Sequence, residues 1–147
     1  MRDDVEPRFW SLTAAECAVL LASAQVGRVG LSLSALPVIL PVNFVMIDGR
    51  VVFRTARGTK LDAAIEHQVV AFEADDFERD GTAGWSVLVR GVAAEMTADS
   101  SVVSEAAAAR LESWALDGVA DRYVAITAEQ ISGRRFTNLT HSHHGPV

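Results

Sequence analysis

The stretch Phe53-Arg54-Thr55-Ala56-Arg57-Gly58-Thr59-Lys60-Leu61-Asp62 concentrates the side chains best suited to holding an anion. Lys60 is the chain's only lysine, the other twelve basic residues being arginine, and it stands beside Arg54, Arg57 and a Gly-Thr step. Val51-Val52-Phe53 reads as a strand. Leu61 to His67 reads as a helix, with Thr59 at its N-cap and Asp62 three residues on, a relative of the capping box. A helix start exposes backbone N–H groups at the positive end of the macrodipole. Adding a lysine, arginines and hydroxyls makes the chemistry of a phosphate site. Taken in isolation, the same pattern also suits a solvated basic turn.

Charge favours a small ligand. The net charge is −6, so the chain has no general basic field for nucleic acid or an anionic membrane. Against that background Arg50, Arg54, Arg57 and Lys60 form a local positive cluster. A second candidate is Pro41-Val42-Asn43-Phe44: a proline inside a strand needs a position where no ladder donor is required, and its neighbours then offer main-chain groups and one amide to something planar. Glu73, Asp75 and Asp76 read either as an acid pair or metal site, or as a strand running into a solvated turn; alternation puts Glu73 and Asp75 on one face. Arg134 and Arg135 read as substrate or partner-subunit contacts, or as solvent-facing strand residues. Trp10 and Trp114 read as packing. The tail histidines His141, His143 and His144 read as a solvated tail, so no metal is expected. Asn138-Leu139-Thr140 has the form of a glycosylation sequon only.

These residues need a frame. With 147 residues, half of them hydrophobic, and a mean hydropathy of +0.21, the chain suits one domain whose surplus apolar surface goes into a homodimer interface. No run of about 18 apolar residues exists, so no membrane span is expected. Cys17 alone gives no disulfide framework. Arg2, Asp3, Asp4 and Glu6 do not read as a secretory signal, so the cytoplasm is the expected compartment. Residues 1–12 read as an irregular lead-in, 13–138 as the domain and 139–147 as a tail. Thr13 and Glu16 make a capping box opening a helix to about Ala24, with Cys17, Leu20, Leu21 and Ala24 on its inner face. Strands follow from Val26, then after a break at Leu36-Pro37 through Ile47, and back from Arg50 across an Asp48-Gly49 hairpin turn. Further strands are expected at 68–75 and 85–96. An Ala-rich helix over 102–116 precedes a last strand region, 122–137, interrupted near Ile131-Ser132-Gly133. About six short antiparallel strands with flanking helices usually close into a barrel.

Pro41-Val42-Asn43-Phe44, Phe53-Arg54-Thr55-Ala56, Gly58-Thr59-Lys60-Leu61 and Gly84-Trp85-Ser86-Val87, in that order, resemble the pyridoxamine 5'-phosphate oxidase-like proteins of the flavin-binding split-barrel fold. The resemblance runs from about residue 12 to 137. It implies a mainly β fold with flanking helices (α+β), a six-stranded antiparallel split β-barrel, dimeric, with two FMN sites at the subunit interface and a small-molecule substrate. It further implies that Arg54, Thr55 and Lys60 hold the flavin phosphate, with Ala56, Thr59 and Leu61 close by. Pro41, Val42, Asn43 and Phe44 then lie along the ring, and Trp85 and Ser86 close the pocket from the neighbouring strand. The fold also accommodates a deazaflavin coenzyme, and a non-enzymatic flavin carrier is a further alternative. Where the family's true oxidases carry an Arg-x-His pair, this chain reads Gly133-Arg134-Arg135-Phe136, with no histidine until His141, so oxidation of vitamin B6 phosphates does not carry over. No side chain stands out as a dedicated acid or base; water or Tyr123 is the candidate proton donor.

Overall fold

The computed structural model describes residues 8–56, 58, 60–97, 100–109, 111–112 and 122–138, with residues 60, 61 and 108 by their backbone alone. The elements run β1 Arg8–Leu12, α1 Ala14–Ser23, β2 Val26–Leu33, β3 Leu36–Ile47, β4 Arg50–Thr55, α2 Lys60–Ile65, β5 Val69–Phe77, β6 Ala83–Glu95, α3 Ser101–Ala108 and β7 Arg122–Thr137. The strands pair antiparallel in the order β1-β7-β4-β3-β2-β5-β6, and β6 pairs back onto β7. That second pairing closes six strands into a ring, which is how an antiparallel sheet disposes of its edges. β1 is a seventh strand laid on the distal half of β7, Arg8 opposite Thr137 and Leu12 opposite Gly133. Residues 8–12 are therefore not an irregular lead-in. Phe9 and Trp10 favour extended backbone, but a five-residue edge strand has too little alternation to declare itself without its partner.

Two hairpins set the register. Asp48 and Gly49 (φ 49° and 73°) make the expected two-residue turn, with Ile47 opposite Arg50. Ser34 and Ala35 make another (φ 50° and 65°), with Leu33 opposite Leu36. Ser-Ala carries no turn signal, and a left-handed alanine costs about 1 kcal/mol, which the eight-pair β2–β3 ladder offsets. Pro37 thus lies inside β3 rather than at a break before it. Counting from the closing pair, Pro37 and Pro41 face Ser32 and Arg28 at non-hydrogen-bonded positions. Neither proline costs the ladder a bond, as expected.

The ring's interior is the main core. Phe53 and Phe72 are fully buried, and Phe44 meets Phe72 edge to face at 4.8 Å. Burying such a ring contributes about 2–3 kcal/mol. α1 covers one end: Thr13 and Glu16 exchange both capping-box hydrogen bonds, and Cys17 and Leu21 are buried beneath the helix. A second cluster joins Val102, Ala106 and Leu111, from and after α3, to Ile47, Val52 and Ala125. β4 is therefore buried on both faces, which explains its unbroken Val51-Val52-Phe53 run. The helix expected over 102–116 is shorter in the structure: α3 ends at Ala108 and Leu111 and Glu112 are not helical, while residues 110 and 113–116 lie outside the described residues.

β7 runs unbroken through Ile131-Ser132-Gly133, contrary to the expected interruption. Its irregularity is a bulge at Glu129, since Arg90 faces Gln130 while Gly91 faces Ala128. A Cβ at position 91 would overlap the carbonyl of Thr127. Gly91→Ala should therefore destabilise the protein by about 2–3 kcal/mol in urea unfolding; a loss below about 0.5 kcal/mol would show that the bulge yields. No helix among the described residues is long and apolar enough to cross a membrane.

Candidate functional site

β3 changes partners where the ring-contact residues were expected. From Leu36 to Asn43 it pairs with β2, and from Phe44 to Ile47 with β4. Among the described residues no strand pairs with the other edge of Leu36–Asn43, so the outward main-chain groups of Pro41 and Asn43 lie on an uncovered edge. Val42 and Phe44 point into the core, while Pro41 is exposed and Asn43 half-buried. Asn43 Nδ2 donates to the carbonyl of Glu112 (3.1 Å), and Arg54 Nη1 donates to that of Leu111 (3.1 Å). The segment leading out of α3 thus crosses the outer side of this corner. The Arg54 guanidinium lies 5.4 Å from the ring centroid of Tyr123, its register partner on β7.

β4 ends in the other half of the corner. Thr55 (3% exposed) and Ala56 are buried, and Thr55 leaves the strand on the side opposite to Arg54. Gly58 turns with φ 83°, and its N–H donates to Asp62 Oδ2 (2.8 Å). α2 then begins at Lys60; the N-cap expected at Thr59 lies outside the described residues. Arg57 and Thr59 lie outside the described residues, as do the side chains of Lys60 and Leu61. Arg122, opposite Thr55, binds Asp62 and Glu66 and reaches Glu95 at 3.1 Å. These contacts fasten α2, and so the backbone of Lys60, to the barrel. Sequence reasoning missed Arg122, and nothing local to it signals a partner sixty residues away.

The donor set fits a phosphate. A guanidinium is always charged and suited to two-pronged binding of phosphate, and the nearby carboxylate of Asp62 is engaged by Arg122 and Gly58 instead of facing the corner. Arg50 does not belong to the cluster. It occupies the far end of β4, four residues or about 13 Å along the strand from Arg54, with Nη1 3.8 Å from Met96 Sδ.

Trp85 and Ser86 are not on a neighbouring strand. β6 pairs with β5 and β7, three places around the ring from β3. Being consecutive, the two residues also point to opposite faces. Asp76, Trp85, Arg135 and Trp10 form one cross-strand row beside a cleft of about 560 Å³. Asp75, Ser86, Arg134 and Ser11 form the next row, and Ser86, Arg134 and Ser11 line a second cleft of about 610 Å³. Arg134 and Arg135 are separated in the same way.

Glu73 and Asp75 share the outer face of β5, as alternation predicts, with Arg28 Nη1 3.9 Å from Glu73 and 3.3 Å from Asp75. Burial, and Asp75 close enough to share a proton, push the Glu73 carboxyl up to about 7 against the pull of Arg28. Between pH 4.5 and about 7 the folded state then holds a proton that the unfolded state has lost. This contribution to stability is whole below pH 4.5 and disappears as pH rises through 7. Glu73→Gln should gain stability relative to the parent as pH rises from 5 to 8, seen in urea midpoints. Curves that stay parallel across that window would sink the assignment.

A closed antiparallel barrel with Arg54 near the end of one strand and the turn into a short helix beside it defines the frame. The family model for pyridoxamine 5'-phosphate oxidase matches residues 13–135, and the chain belongs to that family. It is 39% identical over 121 residues to an uncharacterized protein of Mycobacterium tuberculosis, covering 79% of this chain and 78% of that one. Among solved structures it is similar to an FAD-binding protein from Mycobacterium smegmatis, at 41% identity and TM-score 0.72, covering 86% of this chain and 98% of that one. An FAD-binding protein from Mesorhizobium loti matches at 22% identity and TM-score 0.66 over 90% of this chain and 99% of that one, a likeness of fold.

Proposed function

We propose that this protein binds a flavin nucleotide at the β3–β4 corner and acts as a flavin-dependent oxidoreductase on a small organic substrate. The carrying observation is the corner itself: Asn43 and Arg54 side by side, next to a stretch of β3 whose outer edge pairs with no strand among the described residues, with the turn into α2 at the end of β4. Arg54 and Lys60 hold the phosphate, Thr55 contributing only through its backbone because its side chain is buried on the other side of β4, and the main chain from Pro41 to Phe44 offers donors and acceptors to the ring edge. A bound flavin supplies the hydride-accepting chemistry; the protein orients it and sets its electrostatic surroundings.

The reading includes a homodimer. Trp85 and Ser86 lie across the ring from the corner, so within one protomer they cannot close it. A second copy supplies one face of its β6–β7 pair, either Ser86 with Arg134 or Trp85 with Arg135. Exposed Leu36 and Ile39 (69% and 72%) beside the uncovered edge are the surface such a partner would cover.

The phosphate next to the ribityl chain is common to FMN and FAD, so the corner serves either. FMN is the expected ligand, and the 41% identical FAD-binding neighbour supports testing FAD beside it. The visible spectrum of the purified protein and titrations with FMN, FAD and a deazaflavin coenzyme test the reading. Micromolar FMN binding that weakens about 10- to 100-fold in Lys60→Ala is the expected result. Binding of the deazaflavin alone would move the protein to deazaflavin-dependent reductases. Binding of none would remove the redox reading. A bound flavin that no donor reduces at a useful rate would make the protein a carrier.

A further inference from the structure

One face of the barrel wall carries both the second core and the polar side chains of the corner. Alternation puts Ile47, Val45 and Asn43 of β3 on it, with Val52 and Arg54 of β4 and Ala125 and Tyr123 of β7. Register aligns the polar end: Arg54 is opposite Tyr123, and Asn43 lies one step past the Phe44–Phe53 pair, opposite Arg54. Val102 and Ala106 of α3 cover the apolar end. Leu111 joins the two. Its side chain, 7% exposed, packs in the apolar cluster, while its carbonyl accepts from Arg54 Nη1 at 3.1 Å. The next carbonyl, that of Glu112, accepts from Asn43 Nδ2 at 3.1 Å.

This division makes an apolar cluster the support for polar geometry. An arginine side chain has many rotamers, and ordering them at the moment of binding weakens the grip on a ligand. Here the guanidinium is oriented by the fold itself, through the Leu111 carbonyl and the Tyr123 ring, whose centroid lies 5.4 Å from its central carbon. Guanidinium donors form a rigid planar fork, so fixing one of them aims the others. The carbonyl keeps its place because the Leu111 side chain is anchored among Val102, Ala106, Ile47, Val52 and Ala125. Leucine at this position thus acts where no part of its own side chain reaches.

We infer that Leu111 is a positioning residue for the flavin phosphate: its buried side chain fixes the carbonyl that aims Arg54. The inference rests on the flavin reading of the corner and adds the α3 core to what shapes that site.

Calorimetric titration of the flavin-free full-length protein with FMN and with riboflavin, which lacks the phosphate, tests it. Leu111→Ala should weaken FMN about 10-fold and riboflavin about 3-fold or less. Leu111→Met, close to leucine in volume, should restore the FMN affinity. With Arg54→Ala already in place, Leu111→Ala should weaken FMN no more than it weakens riboflavin, because the group it positions is gone. Leu21→Ala removes a leucine from the main core under α1 and controls for general loosening; it should leave the ratio of FMN to riboflavin affinity unchanged. In the flavin-free protein, NMR relaxation of the Arg54 side-chain N–H should report greater motion in Leu111→Ala than in the parent. Equal losses for the two ligands, an FMN loss of the same size with and without Arg54, or unchanged Arg54 motion would overturn the inference and leave Leu111 a packing residue. A parent protein that binds neither ligand would remove the flavin reading and this inference together, whereas one that binds FMN without the split removes the inference alone.

Discussion

Arg122→Met is expected to lower the stability of the protein by about 3–5 kcal/mol. The Arg122 side chain is 9% exposed and meets three carboxylates, those of Asp62, Glu66 and Glu95. Methionine approximates its stem but takes the guanidinium away from acids held by the barrel end and α2. A buried ion pair is weak evidence of net stabilisation, because desolvation offsets much of its attraction; removing Arg122 is another matter, since the Asp62 carboxylate stays buried, while Glu66 and Glu95, about a third exposed, are partly screened by water. In a chain of this length the loss corresponds to a melting temperature lower by about 10 °C or more. Arg122→Lys should fall between, because an ammonium cannot span the carboxylates as a planar fork does. Adding Asp62→Asn to Arg122→Met should recover part of the loss, and the double-mutant cycle isolates that coupling. A drop below 1 kcal/mol in urea unfolding would mean that solvent screens the cluster. The functional consequence is positional: α2 carries Lys60, and Arg122 is what ties α2 down.

That consequence shows where sequence reading stops. The Thr13–Glu16 capping box, the Asp48-Gly49 hairpin and the placement of Pro41 off the ladder's donors were legible because each is a local rule satisfied within a few residues. The six-stranded ring followed from the family resemblance, and the ring holds; the order of strands around it did not, since the strand of Trp85 and Ser86 was expected beside β3 and lies three places away. β1 was not legible, because five residues with two aromatics and no clean alternation become a strand only through pairing with β7. The Ser34-Ala35 turn was invisible for the opposite reason: the ladder on either side imposes a conformation that neither residue prefers. At the site, the adjacency of Asn43 and Arg54 was within reach of the sequence, since one hairpin sets both. The two-residue period of a strand puts Trp85 and Ser86 on opposite sides, as alternation along 85–96 reads in the sequence, and does the same to Arg134 and Arg135; assigning each pair to one pocket did not follow from it. The crossing of residues 111 and 112 over Asn43 and Arg54 is a tertiary contact about sixty residues long in sequence, and no local pattern encodes it.

Arg54→Ala should weaken FMN binding about 10- to 100-fold, the range of a charge-assisted hydrogen bond to a phosphate. The difficulty is that Arg54 already has structural work: it donates to the Leu111 carbonyl and covers the Tyr123 ring. Alanine could therefore lower affinity simply by releasing the segment over the corner. Two comparisons separate the roles. Riboflavin has the ring and ribityl chain of FMN but no phosphate, so a phosphate-binding Arg54 predicts a large loss for FMN and little for riboflavin. An Arg54 that only holds residues 111 and 112 predicts equal losses for both. Asn43→Ala supplies the second comparison, since Asn43 shares the contact with that segment but carries no charge. It should cost about 1 kcal/mol of stability and should weaken riboflavin and FMN alike, because an amide beside the ring does not distinguish them. If Arg54→Ala reproduces the Asn43→Ala pattern, the phosphate is not at Arg54, and the corner's anion site has to be sought at the turn into α2, with Lys60 alone.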